Sequence, residues 1–178
     1  MDGRAKKLFL MQLKYNGIPK HHYAGLAEEE KAMLDEKNNS YFLKDEQRKN
    51  LKVVLTGGVF DILHAGHVYT LTEAKKHGDV LVVAVARDEQ VKKSKNREPV
   101  HSEDYRRKMV EFLKPVDAAL VGFENPEKML ELVKPEIIVY GYDQPVFLEP
   151  ENVEIVKLKK HVEGGKFKTN KIIKELGI

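Results

Sequence analysis

Thr56-Gly57-Gly58-Val59-Phe60-Asp61-Ile62-Leu63-His64-Ala65-Gly66-His67 is the stretch on which the reading of this chain turns. It follows an apolar run, Leu51–Thr56, and leads into an amphipathic one. A buried strand, a pair of glycines and the start of a helix are therefore expected in direct succession. Without side chains, Gly57 and Gly58 let an anion come close to backbone N–H groups. His64 and His67 stand three residues apart at the start of the expected helix, so both rings fall on one face. The free N–H groups and the dipole of a helix start already favour negative charge there.

Reading outward, four more apolar runs follow: Asp79–Ala86, Val116–Val121, Glu136–Tyr140 and Val153–Leu158. Rich in Val, Ile and Leu and without polar alternation, they suit a parallel sheet covered on both faces. Helical patterns lie between them. Ala65–His77 stops at Gly78, Ser102–Leu113 opens on Ser102 as N-cap, and Pro126–Val133 has Asn125 before a first-turn proline. A last helix is expected from Thr169 to Leu176. This alternation predicts an α/β fold, a doubly wound (Rossmann-like) parallel sheet, with ligands bound beyond the carboxyl ends of its strands.

Residues 1–50 read differently. Arg4–Tyr15 and Ala24–Lys37 are expected as helices, broken at Asn16-Gly17-Ile18-Pro19, with Tyr41-Phe42-Leu43 as a short extended piece. The expected organisation is a small helical N-terminal extension, 1–50, and a main domain, 51–178. Ten basic and eight acidic residues in the extension make a helix–turn–helix bound to DNA the minority reading. Over all 178 residues the net charge is +3, pointing to a local anion site rather than a nucleic-acid surface. The absence of cysteine excludes disulfides, thiolate catalysis and Cys-based zinc sites. The longest apolar run, Val80–Ala86, is too short to span a membrane, so a soluble cytoplasmic protein is expected.

His64-Ala65-Gly66-His67 matches the His-x-Gly-His signature, and the longer Gly-Gly-Val-Phe-Asp-Ile-Leu-His-Ala-Gly-His form is more specific still. From about Leu51 onward the chain resembles the nucleotidyltransferase superfamily that includes cytidylyltransferases and adenylyltransferases. In such a reaction an acceptor phosphate oxygen attacks the α-phosphorus of a nucleoside triphosphate and pyrophosphate leaves in line. Charge grows on the α-phosphoryl oxygens, and donors fixed there stabilise the transition state more than the ground state. The competing readings of His64 and His67 are structural histidines or metal ligands, and no third ligand stands at metal spacing nearby.

The resemblance also assigns roles elsewhere. Thr56, Gly57, Gly58, Val59 and Phe60 line the nucleotide with the two histidines. The basic run Arg87–Arg97 matches a mobile loop whose lysines reach the phosphates, Lys93 and Lys95 being the nearest matches. Arg106 matches an arginine directed at the acceptor phosphate, for which a guanidinium suits by binding two oxygens at once. Gly141 and Asp143, in Tyr140-Gly141-Tyr142-Asp143-Gln144, match a Gly-x-Asp motif beside base and ribose, and Asp143 is also a candidate for holding Mg²⁺ near the phosphates. Near the C-terminus the chain departs from the Arg-Thr-x-Gly-Ile-Ser-Thr-Thr pattern of many relatives. Thr169 there keeps a hydroxyl for helix and phosphate, with Lys168 or Lys171 in place of the missing arginine.

These segments are most similar to the archaeal FAD synthases, which adenylylate FMN using ATP and Mg²⁺, and next to glycerol-3-phosphate cytidylyltransferases. ATP with FMN, or CTP with glycerol 3-phosphate, are thus the implied substrate pairs, and a homodimer is implied by the same resemblance. A nucleotide-binding regulatory module is the alternative of another class. It would not need two histidines placed for a pentavalent phosphorus.

Overall fold

A computed structural model describes residues 3–159 of the chain, which divide into two compact units at Lys52/Val53. The first unit runs α1 (Gly3–Tyr15), β1 (Ile18–Pro19), α2 (Lys20–Ala24), α3 (Glu28–Lys31), β2 (Leu34–Lys37), β3 (Ser40–Leu43) and α4 (Asp45–Arg48). Its strands form an antiparallel sheet in the order β1-β3-β2. Leu8, Phe9, Leu13, Ile18, Leu34 and Leu43 are buried and make its core.

The expectation of a helical extension is corrected here. In place of one helix over Ala24–Lys37 there are α2, α3 and a strand. The cause is the Asn38-Asn39 pair, both with positive φ (51° and 62°), as a two-residue hairpin turn requires. That turn registers Leu34 opposite Leu43 and Glu36 opposite Tyr41, and long-range pairing overrides the helical preference of the Glu/Lys/Ala-rich segment. The break after α1 is found where it was expected: Asn16 (φ 52°) and Gly17 (φ 107°) turn the chain, and a Cβ on Gly17 would lie 2.7 Å from the Phe42 ring.

The second unit contains β4 (Val53–Gly58), α5 (Ala65–Lys75), β5 (Val80–Val85), α6 (Asp88–Lys95), α7 (Glu103–Glu111), β6 (Ala118–Val121), α8 (Glu127–Val133), β7 (Ile137–Tyr140) and β8 (Glu154–Lys157). All five strands pair in parallel, in the order β6-β5-β4-β7-β8. This is the doubly wound α/β fold that the apolar runs predict. Val54, Val83, Val85, Leu71, Val110 and Val139 are fully buried between sheet and helices. Ser102 caps α7 by accepting from the Tyr105 N–H, and the Asn125 carboxamide accepts from the Glu127 N–H at the start of α8.

The order of strands fixes where a ligand can sit. The chain builds outward from β4 to β5 and β6, then returns to lay β7 on the other side of β4. The direction of winding reverses between β4 and β7, and the crevice above that junction is the binding position of open α/β sheets. Among the described residues, no helix is long and apolar enough to cross a membrane.

Candidate active site

His64 stands in extended conformation (φ −144°, ψ 169°) immediately before α5, and its carbonyl accepts from the His67 N–H at 3.0 Å. The two rings stack with centroids 3.9 Å apart and an interplanar angle of 24°. Phe60 tilts against His67 at 5.0 Å from the other side. Phe60 is itself buried and left-handed (φ 52°), which bends the loop back so that its ring packs into the core. Two glycines make the packing possible: a Cβ on Gly58 would lie 2.9 Å from the Phe60 ring, and one on Gly66 would lie 3.0 Å from the His64 ring. Gly66 therefore makes room for the His64 ring.

Electrostatics set the protonation of this pair. Burial holds the His67 imidazole down at about 4, His64 adds to the effect and Asp143 opposes it. His64 is lowered too, by burial first, again against Asp143. Both rings are therefore neutral near pH 7, and the Asp143 carboxylate lies within electrostatic reach of both. The Nδ1 atom of each ring is buried without a hydrogen-bond partner among the described residues. A buried polar atom left unpaired costs on the order of 1–3 kcal/mol, a cost that proteins commonly carry at functional sites.

The other expected site residues divide into those at the crevice and those in its frame. Thr56 is buried and its hydroxyl donates to the Val139 carbonyl at 2.7 Å, joining β4 to β7. Gly57 and Gly58 end β4 on the crevice floor. Gly141 and Asp143 lie in the turn that follows β7, with Asp143 exposed. Lys93 and Lys95 are exposed on α6, an eight-residue helix where a loop was expected; Asn96 in left-handed conformation (φ 51°) ends it. Thr169, Lys168 and Lys171 lie outside the described residues.

Arg106 is placed differently from the expectation. It is 1% exposed and makes four hydrogen bonds: to the carbonyls of Val59, Ala86 and His101 and to the Asp88 carboxylate. The guanidinium that was expected to face an acceptor phosphate instead ties together the chain segments leaving β4 and β5 and the start of α7. The sequence could not reveal this, because two of the carbonyls, of Val59 and Ala86, come from segments 47 and 20 residues away.

Three further residues emerge from the structure. Asp61 is buried and accepts from Arg97 Nη1 at 2.7 Å and from the Val100 and His101 N–H groups at 2.8 and 3.2 Å. It thereby anchors the segment beyond α6 to the glycine-rich loop. Its place inside the Gly-Gly-Val-Phe-Asp run was the available signal. Arg87, the residue before α6 and the second beyond β5, has a buried Nε with no hydrogen-bond partner among the described residues. Gln144 bonds to the backbone of both Gly57 and Gly141.

No group of three His, Cys, Asp or Glu able to hold a metal ion occurs among the described residues. A protein-only metal cage is therefore not built into them, and the two histidines have no third ligand.

Comparison with known proteins agrees with this geometry. A family model described as cytidylyltransferase-like matches residues 55–176. The chain is 49% identical over 131 residues to an FAD synthase of Aciduliprofundum boonei, a match covering 67% of this chain and 87% of that protein. It is also similar to the crystal structure of a lipopolysaccharide core biosynthesis protein from Thermoplasma volcanium, with a TM-score of 0.57 and 40% identity, covering 62% of this chain and 98% of that one. The chain with this parallel sheet belongs to the cytidylyltransferase-like family of nucleotidyltransferases.

Proposed function

We propose that the chain is an FMN adenylyltransferase, transferring the adenylyl group of ATP to the phosphate of FMN and releasing pyrophosphate. The observation that carries the reaction type is the stacked His64–His67 pair at the head of α5, with both Nδ1 atoms buried and without a hydrogen-bond partner among the described residues. The 49% identity to a curated FAD synthase supports the choice of substrates.

An FMN phosphate oxygen forms the new bond to the α-phosphorus, and the bond to the β-bridging oxygen breaks with its electrons leaving on pyrophosphate. No covalent enzyme intermediate is needed. His64 and His67 donate to oxygens of the α-phosphoryl group as charge grows on them. Lys93 and Lys95 on α6 supply positive charge to the phosphates, and Thr169 a hydroxyl. Arg87, with an uncommitted Nε at the end of β5, takes the phosphate role for which Arg106 is not available.

The family's chemistry uses a divalent cation, most simply Mg²⁺. The single exposed carboxylate of Asp143 fits such an ion, which is commonly held by one or two carboxylates together with substrate phosphates. When bound, the ion neutralises developing charge on the phosphates. ATP chemistry and a chain without cysteine fit work in the cytoplasm.

The test is a matrix of ATP and CTP against FMN, glycerol 3-phosphate and sugar phosphates with Mg²⁺, reading pyrophosphate. ATP with FMN is expected to give the signal. Turnover confined to CTP with glycerol 3-phosphate would refute the substrate assignment, and nucleotide binding without turnover on any acceptor would favour a regulatory module.

A further inference from the structure

The two central strands of the second unit separate at the crevice in a particular way. β4 stays paired with β5 through Gly58, opposite Val85, and β7 stays paired with β8 through Tyr140, opposite Lys157. Between β4 and β7, however, the ladder stops at Thr56 opposite Val139. The sheet thus opens only at its switch point, and backbone groups of Gly57 and Gly141 face the gap without a ladder partner across it.

Gln144 closes that gap. Its Nε2 donates to the Gly57 carbonyl at 2.8 Å, and its Oε1 accepts from the Gly141 N–H at 2.8 Å. Its own N–H donates to the Gly141 carbonyl at 3.1 Å, folding 141–144 into a turn whose tip carries Tyr142 and Asp143. A side-chain amide offers one donor and one acceptor in a plane, as a peptide group does. Here it acts as a substitute peptide between two diverging strands. Gly141 is needed for the fit, since a Cβ there would lie 3.3 Å from the amide oxygen.

The geometry points to Gln144 as a positioning residue for the nucleotide: its amide straps the glycine-rich loop to the turn bearing Asp143 and holds the crevice at binding width before any ligand arrives. His64 and His67 follow one side of the strap, and Asp143 belongs to the other. Preorganisation of this kind lowers the cost of binding. The inference rests on the nucleotide-binding reading of the crevice.

Gln144→Glu and Gln144→Ala, in the full chain, separate this role from packing. Glu is nearly isosteric and keeps the acceptor for Gly141. Ionised, it sets a second acceptor against the Gly57 carbonyl. Binding of ATP and of CTP, without acceptor, is measured by calorimetry from about pH 8 to about pH 5. Each variant is expected to bind the preferred nucleotide about tenfold more weakly than wild type near pH 8: Ala loses two hydrogen bonds each worth a few-fold, and Glu loses one and sets two acceptors against each other. As pH falls toward the carboxyl range the Glu variant regains a donor, so its deficit relative to wild type shrinks while that of the Ala variant stays constant. Taking each variant relative to wild type at the same pH cancels the titration of His64, His67 and Asp143, which face the same crevice. Gly141 N–H exchange is expected to stay protected in the Glu variant and to accelerate in the Ala variant. Wild-type affinity in both variants, or a Glu deficit that ignores pH, overturns the strap. If the wild-type protein binds neither nucleotide, the nucleotide reading fails and the strap's role fails with it.

Discussion

Two sets of polar side chains with buried atoms lie in the second unit, and they are opposites. Arg106 and Asp61 have partners for almost every donor and acceptor: three carbonyls and a carboxylate around the guanidinium, an arginine and two backbone N–H groups around the aspartate. His64 and His67 have stacking neighbours, but their Nδ1 atoms have no hydrogen-bond partner among the described residues. The difference separates framework from site. A satisfied buried charge holds loops in place, whereas an unsatisfied buried polar atom is a cost that functional sites commonly carry.

The sharpest way to break this contrast is to remove each member and ask what is lost. His64→Ala or His67→Ala is expected to lower kcat by about 10²–10³, the scale of losing one transition-state donor, with the urea midpoint little changed. Near-normal kcat in both variants would show that these rings are not donors in the reaction.

Arg106→Ala should behave in the reverse manner. Three carbonyls and Asp88 lose their partner together, so stability measured by urea unfolding is expected to fall by about 2–3 kcal/mol. If Arg106 instead met the acceptor phosphate, the variant would keep its stability and show a raised KM for FMN, and the contrast would collapse.

The pH response sharpens the same comparison at smaller scale. His67 has a folded value of about 4, below the ordinary 6.5. The unfolded chain therefore binds this proton more readily. The contribution of the neutral ring to stability is complete above about pH 6.5 and is lost as pH falls from there through about 4. Imidazole NMR on the nucleotide-free protein should show His67 titrating near 4, and a bound triphosphate should raise that value. Titration near 6.5 without nucleotide would mean that the ring is solvated and not a buried donor.

The smallest effects belong to α6. Lys93→Ala and Lys95→Ala remove exposed charges, so stability should stay within about 0.5 kcal/mol while KM for ATP rises several-fold. A steady-state comparison at low and high salt checks this, the lysine contribution shrinking as ions screen it.

What could be read in advance follows the same division. The five parallel strands were legible because strands covered on both faces are continuous Val, Ile and Leu runs, as in Val80–Val85. The histidine pair was legible because its spacing and glycines are local. The hairpin after α3 was not, since a Glu/Lys/Ala-rich segment favours helix until Asn38 and Asn39 turn it back on Ser40–Leu43. Nor was α6, whose Asp88–Lys95 sequence has only Val91 buried and so little apolar pattern. The work of Arg106 and Gln144 depends on backbone groups 5–47 and 3–87 residues away, and no local spacing records the far ones.

The fate of one phosphorus atom tests the reaction most directly. With ATP labelled at the α-phosphate, excess FMN and Mg²⁺, the label is predicted to appear in FAD, with one pyrophosphate released for each FAD formed. Label recovered only in AMP, or remaining in ATP while CTP is consumed with glycerol 3-phosphate, would contradict it.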